Sequence, residues 1–233
     1  MIVKALKSPI PITKNIKSGI EMKTLNTYLE SLLDDDDVYL SGADKLVVEE
    51  WIKDNYEFIG KLNISDDLVV NCSGRVIVKN KNITSLTNSL FRWGSVGSDF
   101  FCVFCKDLKS LEGAPEKVGE IFNCCRCDNL TSLEGAPKKV GGGFYCRECE
   151  NLTSLEGSPE EVGEVFDCAG CRNLTSLEGG PEKVGGSFDC SDCESLKSLK
   201  GAPEEVGGLF DCGNCPNLKI TKSERKRYKL HKY

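Results

Sequence analysis

The chain has 233 residues, 39% of them hydrophobic and 28% charged, enough for one elongated domain or two small ones. No apolar run approaches the ~20 residues a membrane helix needs, and the opening MIVKALKSPIPITKNIKSGIEMK is broken by prolines and lysines, which argues against a secretory signal, so a soluble, cytoplasmic protein is expected. The net charge of −6 is uneven: residues 219–233 carry seven Lys/Arg and one Glu, about +6, leaving about −12 on the rest, a balance that excludes a body drawn to nucleic acid by bulk charge.

In chain order, residues 1–20 read as irregular. MKTLNTYLESLL (22–33) has apolar residues at helical spacing and is stopped by the Asp run 34–37. That run lacks the spaced D-x-D-x-D-G pattern of a calcium loop and reads as a solvated linker. A second helix is predicted over 42–59, with Leu46, Val47, Trp51 and Ile52 on one stripe. The two helices are expected to cap the first coil of a repeat array in the rest of the chain, with a separate docking module as the alternative. LVVNC-SG-RVIV (68–78) reads as a hairpin with a Ser-Gly turn. VIVKNKNITSL (76–86) reads as a degenerate repeat, with Ile77, Asn80, Ile83 and Leu86 standing where later repeats have Cys, Cys, Leu and Leu. Phe91 and Trp93 are expected to cover the first full coil.

From residue 99 a repeat of 22 is plain. Cysteines fall at 102, 124, 146, 168, 190 and 212, and again at 105, 127, 149, 171, 193 and 215. Phenylalanine keeps step at 100, 122, 144, 166, 188 and 210. Leucine does so at 130, 152, 174 and 196 and at 133, 155, 177 and 199. The unit is F-x-C-x-x-C-x-x-L-x-x-L-x-G-x-P-x-x-V-G-x-x. Proline and two glycine columns leave no room for a long helix. F-x-C is a period-2 alternation that puts Phe and Cys on one face of a short strand. One unit cannot bury its apolar side, but stacked units can. The fold class predicted is therefore a repeat solenoid, mainly β with loops, bearing an α-helical N-terminal region and a short basic tail. Its segments are 1–62 (helical region), 63–98 (hairpin and degenerate repeat), 99–218 (five to six repeats) and 219–233 (tail).

This pattern resembles a leucine-rich repeat, in which a strand is followed by an Asn or Cys whose side chain bonds the neighbouring turn as a ladder. Phe188 and Cys190 match the strand positions, Cys193 matches the ladder, and Asn80 is the alternative ladder residue. The likeness spans about 76–220. It departs from the family in replacing leucines by Phe and Cys and in the G-x-P-x-x-V-G half. That half, with LTSLEGAP, looks like repeat proteins of tailed bacteriophages and gut bacteria, and the unit is also similar to bacterial surface-type repeats. The resemblance implies a solenoid that binds other proteins, and it implies no chemistry.

The C-x-x-C pairs admit three readings: packing groups, zinc half-sites and redox pairs. Recurrence in register with Phe and Leu favours packing, because a free cysteine behaves as a small buried hydrophobe. No cofactor and no metal is expected on that reading. Cys125 lies in an outward column and is expected as a reactive surface thiol. The column Glu112, Glu134, Glu156, Glu178 and Lys200 reads as a solvated edge. With one histidine, His231 in the tail, acid–base catalysis by histidine is not expected, and the chain reads as no enzyme.

The x positions of F-x-C-x-x vary while the core columns do not. They make a candidate partner-binding face of Phe101, Val103, Phe104, Asn123, Arg126, Tyr145, Arg147, Glu148, Asp167 and Asp189. Exposed aromatics beside arginine are the composition of interface hot spots, with Phe101, Phe104 and Tyr145 as anchors. Coverage of Phe101 and Phe104 by the N-terminal helices is the alternative. The function expected is a non-catalytic protein-binding scaffold, in the phage setting an inhibitor of a cellular protein. The other reading is a zinc-stabilised nucleic-acid binder acting through Lys222, Arg225, Lys226, Arg227 and Lys229, with Tyr228 and Tyr233 contacting bases. On either reading no membrane partner is expected.

Overall fold

The computed structural model describes residues 42–87 and 91–230. The helix expected over 22–33, the Asp run and Tyr233 lie outside the described residues. Helix α1 spans Gly42–Asn55 and helix α2 Lys222–Arg227. Between them lie two eight-stranded sheets, so the chain folds as a mainly-β solenoid.

Each repeat contributes one two-residue strand to sheet A, and each but the last contributes one to sheet B. In sheet A these are β6 (Phe100–Phe101), β8 (Phe122–Asn123), β10 (Phe144–Tyr145), β12 (Phe166–Asp167), β14 (Phe188–Asp189) and β16 (Phe210–Asp211). In sheet B they are β7 (Lys117–Val118), β9 (Lys139–Val140), β11 (Glu161–Val162), β13 (Lys183–Val184) and β15 (Glu205–Val206). All pair in parallel and in 22-residue register, as in Phe144↔Phe166 and Val140↔Val162. We number the coils 1 to 6 by Phe100, Phe122, Phe144, Phe166, Phe188 and Phe210.

Sheet A follows from the F-x-C alternation. Sheet B lies in the P-x-x-V-G half, where the sequence shows only two residues between proline and the Val-Gly pair. Glycine makes this half possible. The Gly141 and Gly163 corners stack so closely that a Cβ on either would overlap the carbonyl of the glycine one coil before, Gly119 or Gly141. Beyond the strands the coils stay hydrogen-bonded. Phe104 N–H donates to Cys125 O at 2.9 Å, Arg126 N–H to Arg147 O at 2.9 Å, and Leu133 N–H to Glu156 O at 2.8 Å. Backbone polar groups of the loops are thus satisfied by the neighbouring coil.

The core is a set of columns. Phe100 through Phe210 stack ring on ring, with centroids 5.2–5.7 Å apart and planes within 17°. The two Leu columns, the Val column and both Cys columns of coils 1 to 5 are buried beside them, except Val206, which is half-buried. Each fully buried Phe or Leu contributes about 1.5–3 kcal/mol.

The N-terminal end differs from the sequence reading in three ways. First, α1 ends at Asn55, and Tyr56–Ile59 forms β1, antiparallel to β4 (Arg75–Val78). Its buried stripe is Val48 and Ile52 with Trp51 packed against the core, while Leu46 is 53% exposed. Second, residues 68–78 are not a hairpin. The strand β3 (Val69–Cys72) belongs to sheet B, where it pairs with β2 (Leu62–Ile64) and β5 (Arg92–Val96), whereas β4 belongs to sheet A. Ser73-Gly74 is a corner, the forerunner of every later V-G corner, and Cys72 pairs with Val96 in the valine column. Third, Val76 pairs with Phe100 and Ile77 with Phe101, so buried Val78, not Ile77, stands in the Cys102 column. Asn80 is exposed and accepts from Asn82 N–H at 3.1 Å, outside any buried ladder. Phe91 and Trp93 are buried, and Trp93 meets Phe100 edge-on at 6.0 Å.

Residues 219–230, in the segment expected as a basic tail, are folded. A capping box of Thr221 and Glu224 starts α2. Tyr228 then closes the Phe column, its ring 4.0 Å from Phe210 and its hydroxyl donating to Pro203 O at 2.8 Å.

Candidate functional site

The outward strip is built from the residue after each column Phe and the two residues between the cysteines. In coil 1 it carries Phe101, Val103 and Phe104; Phe101 and Val103 are half-buried and Phe104 is 48% exposed. Phe104 is thus open to solvent rather than buried beneath the described N-terminal elements. Arg126 lies over its ring at 5.3 Å, and Arg75 lies over Phe101 at the same distance. Both guanidiniums are fixed by carboxylates, Arg126 by Glu148 at 2.9 Å and Arg75 by buried Asp99 at 2.7 Å.

The residue before the second cysteine is left-handed in every coil: Phe104 (φ 59°), Arg126 (57°), Glu148 (54°), Gly170 (72°), Asp192 (56°) and Asn214 (54°). Gly, Asn and Asp suit this region, whereas other residues cost roughly 1–2 kcal/mol there. Coils 1 to 3 nonetheless place Phe, Arg and Glu in it, and those three side chains form the row Phe104–Arg126–Glu148 just described.

The remaining candidates divide by role. Tyr145 is half-buried on the strand, and Arg147 is exposed and reaches Asp167 at 3.4 Å. Asn123, Asp167 and Asp189 serve their own turns, each Oδ1 accepting the N–H two residues on, from Cys125 at 3.0 Å, Ala169 at 3.1 Å and Ser191 at 2.9 Å. This turn is a known preference of Asx residues, and the sequence reading missed it. The signal was present, since Asn or Asp stands directly before C-x-x-C in coils 2, 4, 5 and 6. Asp167 is only 5% exposed, and burial raises its pKa despite the Ala169 N–H and Arg147.

The cysteines are arranged as packing groups. The second thiol of each coil from coil 2 onward donates to the carbonyl of the first cysteine one coil earlier: Cys127 to Cys102 O (3.1 Å), Cys149 to Cys124 O (3.3 Å), Cys171 to Cys146 O (3.2 Å), Cys193 to Cys168 O (3.4 Å) and Cys215 to Cys190 O (3.2 Å). A thiolate has no proton to donate, so this ladder requires neutral thiols. The neighbouring thiol, then burial, raises Cys124, Cys146 and Cys168 well above the ordinary thiol value. Among the described residues no cluster of three or more His, Cys, Asp or Glu is arranged to hold a metal ion. Cys125, expected as a reactive surface thiol, is half-buried, and burial pushes it up to about 12, away from activation.

The glutamate column is exposed throughout, and Lys200 pairs with Glu178 at 2.7 Å. In the basic segment Lys222, Lys226, Arg227 and Lys229 are exposed and Arg225 is half-buried. Tyr228, expected to stack on bases, spends its ring on Phe210. No helix among the described residues is long and apolar enough to cross a membrane. Comparison with family models, curated proteins and solved structures finds no match for this chain.

Proposed function

We propose that this protein is a non-catalytic, leucine-rich-repeat-type scaffold that binds a protein partner in the cytoplasm, on the outward strip of coils 1 to 3. One observation carries the reading. Three successive coils hold bulky or charged side chains at a left-handed position that glycine occupies without strain, and those side chains are joined into one exposed row. Strain of this kind, kept where the fold does not need it, marks functional surface. Phe101, Phe104 and Tyr145 supply rigid apolar anchors, and Arg126 and Arg147 are already oriented by carboxylates, so little ordering remains to be done on binding. The likeness of the repeats to phage and gut-bacterial proteins favours a bacterial protein as the partner.

The test is affinity capture from a bacterial lysate, followed by titration of the captured protein against wild type and Phe104→Ala/Tyr145→Ala. Loss of two anchors predicts weakening of at least about thirtyfold. An unchanged affinity refutes the placement.

A further inference from the structure

The strip changes character along its length. In coils 4 to 6 it carries Asp189, Asp192 and Asp211, with Asp167 buried, and no aromatic residue. At coil 4 the side chains shrink to Ala169 and Gly170, and a notch of about 450 Å³ opens, with Glu148, Glu150, Asp192 and Glu194 on its rim. The two arginines of the rim are turned to carboxylates, Arg147 to Asp167 at 3.4 Å and Arg172 to Glu194 at 3.4 Å. Glu148 is already held by Arg126 and Glu194 by Arg172, which leaves Glu150 and Asp192 as the rim carboxylates with no ion pair among the described residues. The notch is large enough for the end of a long side chain, and its excess charge selects a cation.

From these features we infer that the strip receives a basic polypeptide segment, apolar where it meets Phe104 and Tyr145, with a Lys or Arg side chain seated in the notch over Gly170. This rests on the binding function proposed above and gives the partner its chemistry. Coils lie ~4.8 Å apart, so coil 1 and coil 4 are separated by about 14 Å. An extended chain covers that in about four or five residues. The partner segment therefore carries a large apolar residue and a basic residue about four or five positions apart. A nucleic acid is repelled from this half of the strip.

Selection from a displayed library of random twelve-residue peptides on the full chain tests this. The enriched peptides should pair an aromatic or large aliphatic residue with Lys or Arg at that spacing. The best one, synthesised with a fluorophore, is then titrated by polarisation. Glu150→Gln/Asp192→Asn should weaken it about tenfold, two screened ion pairs' worth, and raising the salt should do likewise. Gly170→Asn keeps the left-handed backbone, fills the notch and should weaken it similarly. Enrichment of acidic or purely apolar peptides, or indifference to both variants, overturns the basic-segment inference. The binding face itself then still stands if Phe104→Ala/Tyr145→Ala abolishes capture. Failure to enrich any peptide overturns the inference also, and an intact capture of protein under the same conditions shows that only the inference has failed.

Discussion

The phenylalanine column makes the sharpest stability prediction. Phe144 is fully buried between Phe122, at 5.2 Å and 17°, and Phe166, at 5.3 Å and 5°. Phe144→Leu keeps most of the apolar area and removes both ring contacts. Each aromatic pair is worth about 0.5–1.5 kcal/mol beyond its area, and the change of shape costs up to about 1.5 kcal/mol. The expected loss is therefore about 1–4.5 kcal/mol. Urea unfolding followed by circular dichroism, with the fluorescence of the two tryptophans as a second probe, measures it through the midpoint at constant m. Phe122→Leu and the double variant complete a cycle. Because the two rings share one contact, the double loss should fall short of the sum by about 0.5–1.5 kcal/mol. A loss below about 0.5 kcal/mol for Phe144→Leu, or strict additivity in the cycle, would show that the rings are interchangeable apolar filling.

Two further predictions concern the thiols and the C-terminal cap. The pKa values of Cys124, Cys146 and Cys168 are raised in the folded chain. Their stabilising effect is therefore complete below the unfolded thiol value near ~8.5 and declines as pH rises above it, because only the unfolded state then releases protons. Each such thiol contributes a slope of about 1.4 kcal/mol per pH unit, so the urea midpoint should fall steeply between roughly pH 9 and pH 10.5; a flat midpoint refutes the burial of neutral thiols. Tyr228→Ala opens the end of the Phe column and removes the hydrogen bond to Pro203, an expected loss of about 2–3 kcal/mol. Hydrogen exchange should accelerate in coil 6 and leave coils 1 to 3 unchanged, whereas uniform acceleration would contradict a local cap.

The 22-residue spacing, the F-x-C strand and the burial of Phe, Cys and Leu were all legible in the sequence, because those columns repeat in step and alternation locates a strand. Sheet B was not legible. Two residues between Pro and the Val-Gly pair cannot show an alternation, and the stacking of Gly119, Gly141 and Gly163 that makes the second sheet possible is visible only in space. The Ser73-Gly74 corner reads as a hairpin turn for the same reason, since local turn chemistry does not say whether its two strands pair with each other or with separate neighbours. Part of the strip was legible as a variable face. The internal roles of Asn123, Asp167 and Asp189 are local and were signalled by an Asx residue before C-x-x-C, whereas the use of Tyr228 as a cap depends on a ring 18 residues before it.

The central structural claim, that the cysteine columns are neutral packing groups, is tested most directly by native mass spectrometry of the intact chain beside its denatured mass, with a thiol titration of the denatured protein. Agreement of the two masses with all 14 thiols free is the predicted result. A native mass larger by multiples of a zinc ion would contradict the account and turn the same columns into metal sites.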